Sequence, residues 1–169
     1  TGTPTRSMIS SAGVKPSWTV PFREVGIGDV GKVGGKNASL GEMLTALASQ
    51  GVRVPDGFAV TADAYRATIE AAGLGDMLRD RIAAFRGGTL ALHEAGAQIR
   101  AAIRGAPLPD AVATAIRDAY GALCQQADRT DMAVAVRSSA TAEDLPDASF
   151  AGQQETFLNV AGEAALLEA

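Results

Sequence analysis

This chain has few side chains able to do covalent or redox chemistry. One cysteine, Cys124, and one histidine, His93, occur among 169 residues. A lone cysteine excludes an internal disulfide, and Cys124 in the apolar stretch Tyr120-Gly-Ala-Leu-Cys124 reads as a small buried hydrophobe. His93 has no second histidine or cysteine at ligand spacing, and no G-x-S-x-G segment is present, so no nucleophile–histidine triad can be assembled. His93 reads as structural or solvated, and scattered acids such as Asp76 and Asp80 lack metal-loop spacing. Aromatics make up 5% of the chain, so packing must rest on its abundant alanine and glycine. No apolar run approaches the ~20 residues of a membrane helix. The polar start, Thr1 to Ser11, lacks the apolar core of a signal peptide. With 15 basic against 19 acidic residues the net charge is −4, which argues against a nucleic-acid or anionic-membrane partner. The expected location is the cytoplasm. The missing initiator methionine and the ending at Leu-Leu-Glu-Ala169 suggest a chain trimmed at both ends.

What is present organises into an α+β pattern. Residues 1–17 are rich in Ser, Thr, Gly and Pro without periodicity and read as a disordered tail. Trp18 to Val25 alternates as a short strand, with Pro21 marking it as an edge. Gly26 to Gly35 is a glycine-dense loop. Asn37 to Gln50 follows as a helix with Leu40, Met43, Leu44 and Leu47 on one face, and Gly51 ends it. Ser39 with Glu42 forms a candidate capping box, with Gly35 and Asn37 as competing starts. Phe58 to Thr61 reads as a strand, after which Thr61 caps a helix to about Ala72. Three further helices are expected at Asp76–Phe85, Thr89–Arg104 and Asp110–Ala127, each with one apolar stripe. Met132 to Val136 reads as a buried strand, Arg137 to Gly152 as a long polar loop, Gln154 to Val160 as a strand, and Glu163 onward as a helix start. The expected fold is a helical cluster packed on a small, mostly antiparallel sheet.

Three segments resemble nucleotide motifs, to different degrees. Gly26-Ile-Gly-Asp-Val-Gly31 matches the dinucleotide fingerprint in letters, but the strand before it carries Pro21, Arg23 and Glu24 and the helix begins too late. That reading is rejected. Gly34-Gly35-Lys36 resembles the end of a P-loop, yet Val30 stands where glycine is needed and Asn37 where a hydroxyl must hold magnesium. The physics survives: glycines admit an anion, a lysine supplies charge, and a helix start offers N–H groups. A phosphate site at Lys36 and a helix-entry turn with a solvated lysine both fit. The third segment runs from Val136 to Thr156. It presents Arg137 at a strand end beside Ser138, Ser139 and Thr141, and ends in Phe150-Ala-Gly152. The arginine fork suits phosphate oxygens. Pairing of Arg137 with Glu143 or Asp144 is the competing account.

Val33-Gly-Gly-Lys-Asn-Ala-Ser-Leu-Gly-Glu42, Val54-Pro-Asp-Gly-Phe-Ala-Val-Thr-Ala-Asp-Ala-Tyr65 and the whole run Val136–Val160 resemble the N-terminal nucleotide-binding domain of the phosphoenolpyruvate synthase (pyruvate, water dikinase) family. The likeness covers about Trp18 to the end. It implies part of an ATP-grasp domain over 18–169, in which ATP phosphorylates a histidine on a separate swivelling domain. The phosphoryl group then passes to pyruvate, giving phosphoenolpyruvate, AMP and phosphate with the help of magnesium (Mg2+). On this resemblance Lys36 and Arg137 look like phosphate-contacting cations. Gly152 and Thr156 look like a loop closing over the phosphates, and Ser139 and Gln154 are weaker candidates. The family's magnesium-binding acids, adenine pocket, phosphohistidine domain and pyruvate barrel lie downstream. The chain is therefore expected to hold no catalytic residue and no metal ligand, to have no dikinase activity alone, and to bind ATP weakly or not at all. Pyruvate is expected as a partner only of a full-length, homodimeric parent. Rifampin phosphotransferase resembles it less closely, through the same nucleotide domain, and pyruvate, phosphate dikinase less still. A stand-alone binding module or remnant is the non-enzyme alternative.

Overall fold

A computed structural model describes residues 17–141 and 155–169. The N-terminal tail expected over 1–17 falls outside that range except for Ser17. Most of the long loop, including Glu143, Asp144, Gly152 and Gln154, also falls outside it.

The first strand, β1 (Thr19–Pro21), is shorter than the alternating pattern suggests. Proline fixes its own φ and has no N–H to extend the ladder, so at Pro21 the chain leaves the strand and enters a 3-10 turn over Phe22–Glu24. Its partner, β2 (Phe58–Val60), runs antiparallel to it with Val20 opposite Ala59. The glycine-dense segment is not open loop. A 3-10 turn (Ile27–Asp29) leads into one turn of helix, α1 (Val30–Val33), and then into α2 (Gly35–Ala48). Gly34 separates the two with φ 82° and ψ 160°, a region that residues with a Cβ avoid. The helix thus starts at Gly35, and the Ser39–Glu42 capping box does not form. The Glu42 carboxylate instead accepts from the Ile27 N–H (3.3 Å), tying the preceding turn to α2. Gly41 makes a second close approach possible, since a Cβ there would lie 2.3 Å from the Val25 carbonyl oxygen. Val20, Val25, Val33, Ala38 and Ala59 form the small core between this helix and the first sheet.

Thr61 caps α3 (Ala62–Ala71) as its residue type predicts: its Oγ1 accepts from the Ala64 N–H (3.3 Å) and donates to the Ser17 carbonyl (2.8 Å). Helices α4 (Gly75–Arg86), α5 (Leu92–Arg104) and α6 (Asp110–Gln126) follow. Only α6 is central. It buries Val112, Ala113, Ile116, Tyr120, Leu123 and Cys124, whereas α4 buries no residue fully. A second core joins Val112 and Ile116 to Ala64, with Trp18, Phe58, Leu166 and Leu167 packed against it. The two leucines come from α7 (Glu163–Glu168).

β3 (Val134–Arg137) and β4 (Thr156–Val160) pair antiparallel. The four expected strands therefore exist, but as two separate two-stranded sheets rather than one. The expected burial of β3 is corrected as well. It alternates between half-buried Val134 and Val136 and exposed Ala135 and Arg137, because among the described residues no layer covers its outer face. The fold is α+β, helical with small antiparallel sheets.

Candidate functional site

The structure brings together the two segments singled out by sequence, about a hundred residues apart. The chain leaves β3 after Arg137 and lays Ser139 and Ala140 directly across the start of α2. The Gly35 N–H donates to the Ala140 carbonyl (3.2 Å), and the Asn37 N–H donates to Ser139 Oγ (3.2 Å). The contact depends on Gly34 having no side chain: a Cβ there would lie 2.3 Å from Ser139 Oγ and 2.4 Å from the Ser139 carbonyl oxygen. Asn37, which stands where a P-loop would have a magnesium-binding hydroxyl, instead caps α1 by donating Nδ2–H to the Val33 carbonyl (2.9 Å).

This geometry corrects one element of the sequence reading. The helix start was expected to offer its N–H groups to an anion. Two of them, from Gly35 and Asn37, are already taken by protein oxygens. Lys36 is half-buried in the first turn of α2, and Arg137 is exposed at the end of β3. Among the described residues no carboxylate pairs with Arg137. Its strand register sets it opposite Thr156. Of the six candidate residues, four are thus described: Arg137 faces Thr156, and Ser139 meets the backbone beside Lys36. Gly152 and Gln154 lie outside the described residues.

A cleft of about 530 Å³ opens beside this junction. Ser138, Ser139 and Thr141 form one wall, while Lys32 of α1 and Tyr65 and Arg66 of α3 form another. Sequence reading passed over Lys32, Tyr65 and Arg66. The signal available was Lys32 four residues before Lys36, but that spacing carries no weight until Gly34 is known to break the helix between them.

Tyr120 was read only as part of an apolar stripe. Its ring is 2% exposed, and its hydroxyl joins two segments: it donates to the Met132 carbonyl (2.7 Å) and accepts from the Gly162 N–H (3.0 Å). These are the entry to β3 and the exit from β4, so one buried phenol ties both ends of the hairpin that carries Arg137 and Thr156. Burial pushes the phenol's pKa above its usual value of 10.0, the bond from Gly162 opposes the shift, and Cys124 and Asp131 add to it. Cys124 itself is buried, as its surroundings suggest. His93 is exposed. Among the described residues no group of three or more His, Cys, Asp or Glu side chains comes together. No helix among the described residues is long and apolar enough to cross a membrane.

A glycine junction that packs a lysine-bearing helix start against a serine hydroxyl, two residues after an arginine, is compatible with a phosphate site. Comparison with known proteins makes the class specific. Residues 30–169 match the family described as pyruvate phosphate dikinase, AMP/ATP-binding domain, and the chain belongs to that family. It is 55% identical over 152 residues to the phosphoenolpyruvate synthase of Synechocystis sp., covering 87% of this chain and 19% of that protein. It is 50% identical over 149 residues to the phosphoenolpyruvate synthase of Escherichia coli, covering 88% of this chain and 19% of the relative. It is also 50% identical over 135 residues to a probable phosphoenolpyruvate synthase of Methanocaldococcus jannaschii, covering 79% and 11% respectively. The chain thus spans about a fifth or less of the length of these relatives.

Proposed function

We propose that this chain is the ATP-binding part of a phosphoenolpyruvate synthase and the front part, 18–169, of an ATP-grasp domain. In the reaction proposed for the whole protein, ATP phosphorylates a histidine on a swivelling domain, and pyruvate then accepts the phosphoryl group to give phosphoenolpyruvate, AMP and phosphate. The role of these residues is to bind and orient phosphates. Lys36 supplies a compact positive charge and Arg137 a planar fork. Ser139 and Thr156 supply hydroxyls, with Gly152 and Gln154 assigned to the same loop. Magnesium ligands, the phosphorylated histidine and the pyruvate site are assigned to other parts of the protein, and its location to the cytoplasm. The observation that supports the reading is the docking of Ser139, two residues after Arg137, on the start of α2 that carries Lys36, a contact that only a glycine at position 34 permits. Names of relatives at about half identity favour the synthase over an antibiotic phosphotransferase.

The test is a chimera in which residues 18–169 replace the matching segment of the Escherichia coli relative. It should form phosphoenolpyruvate and AMP from pyruvate and ATP. Lys36→Ala and Arg137→Ala in the chimera should each lower kcat/KM by about a hundredfold or more, as loss of a charged contact in the transition state does. A folded chimera that is inactive, or variants that turn over normally, would sink the assignment.

A further inference from the structure

We propose that the cleft beside the glycine junction is an anion site that takes a polyphosphate chain, with Lys32 and Arg66 as its cations and Tyr65, Ser139 and Thr141 as its hydroxyl donors. The inference rests on the proposed function in one respect: it extends the same phosphate path from Lys36 and Arg137 past Ser138 into the cleft. The volume, about 530 Å³, falls within the roughly 300–1,000 Å³ of small-molecule sites. Among the described residues of its lining two side chains are cationic and none is a carboxylate. Asp63 bonds Arg66 through one nitrogen at 2.7 Å. Both partners are more than half exposed, at 68% and 54%. Exposed pairs of this kind hold weakly, and the remaining guanidinium N–H groups can grip phosphate in the stronger bidentate manner. Among the described residues Lys32 makes no ion pair. Ser139 Oγ is oriented by the Asn37 N–H that it accepts, which leaves its own O–H proton free to donate. The cleft therefore combines cations, donors and a fixed wall, and begins one residue after Arg137.

The experiment is an amide chemical-shift titration of this chain with inorganic tripolyphosphate to about 20 mM, a range that reads millimolar affinity, against sodium chloride of equal ionic strength. Saturable shifts are expected at Lys32, Tyr65, Arg66 and Thr141 together with Lys36 and Arg137. K32Q and R66Q should each weaken the affinity about three- to tenfold. Shifts at Lys36 and Arg137 with none at Lys32, Tyr65 and Arg66 would overturn the cleft while leaving the proposed function standing, as would variants that titrate like the parent. The reverse pattern, shifts in the cleft and none at Lys36 or Arg137, would support the anion site and count against the ATP-binding assignment. No saturable shift anywhere would overturn the cleft.

Discussion

Tyr120 shows how much structural work one hydroxyl can do and how little of it periodicity reveals. The sequence places the ring on the apolar face of α6, where it is 2% exposed. Nothing in the sequence says that its oxygen reaches both Met132 and Gly162, 12 and 42 residues away. That fact depends on where the β3–β4 hairpin returns, which is long-range information. Tyr120→Phe keeps the ring and removes both bonds, leaving the Met132 carbonyl and the Gly162 N–H without that partner. The expected cost is about 2–4 kcal/mol, from ~1–2 for each stranded group, measured by urea unfolding. The pH dependence has a definite sign. Burial raises the phenol's folded-state pKa above 10.0, so the folded state keeps a proton that the unfolded state gives up. The phenol's contribution is fully present below about pH 10 and is lost as pH climbs through the raised value. Wild type should lose stability across that alkaline window, and Tyr120→Phe should lose less. Equal alkaline slopes would remove Tyr120 as the cause.

At the scale of elements, the local signals worked where one residue type has one job. Thr61 caps α3, as expected from side-chain chemistry. They failed where tertiary contact decides. The glycine-dense segment looks like loop because glycine lowers helix propensity, yet α1 and α2 form there because Val33 and Ala38 are drawn into the first core. The start of α2 at Gly35 is one of those the sequence offers, but its cap is not. Its cap is neither Ser39 nor Asn37 but the backbone and hydroxyl of residues about a hundred positions downstream. Gly34 is the joint on which this depends, and Gly34→Ala tests it. The substitution combines a φ of 82° with a Cβ that would meet Ser139 atoms at 2.3–2.6 Å. Backbone strain alone costs roughly 1–3 kcal/mol, and relief of the overlap must push Ser139 off the helix start. We expect a loss of about 3 kcal/mol or more in denaturant unfolding, with the Gly35 and Asn37 amides exchanging faster with solvent. Unchanged exchange at those amides would show that the junction does not depend on Gly34.

For the molecule as a whole, composition and periodicity reach an α+β domain with two possible phosphate sites. The family was legible in whole runs, above all the long Val136–Val160 run taken as a unit, because glycines and hydroxyls have no chemistry of their own until a fold sets them side by side. Lys32 and Arg66 were illegible for the same reason: a cleft is made by three segments, α1, α3 and the chain after β3. The same geometry limits what the chain can bind. Two helix-end N–H groups are spent on Ser139 and Ala140, and the described residues provide no cluster of acids for a metal. Among the described residues the cations and hydroxyls near this junction, Lys32, Tyr65, Arg66 and Arg137 among them, are largely exposed. Each is worth about 1 kcal/mol in water, set against association costs of at least ~4 kcal/mol. The balance places MgATP affinity near or weaker than millimolar, since about −4 kcal/mol corresponds to ~1 mM. It should fall further as salt rises from about 50 to 500 mM, because exposed charges are screened beyond a few ångström at high ionic strength. Isothermal titration calorimetry of this chain should therefore give no saturable heat at micromolar MgATP. A micromolar dissociation constant that survives high salt would mean that residues 17–169 already enclose the nucleotide, and the open, one-sided site described here would be wrong.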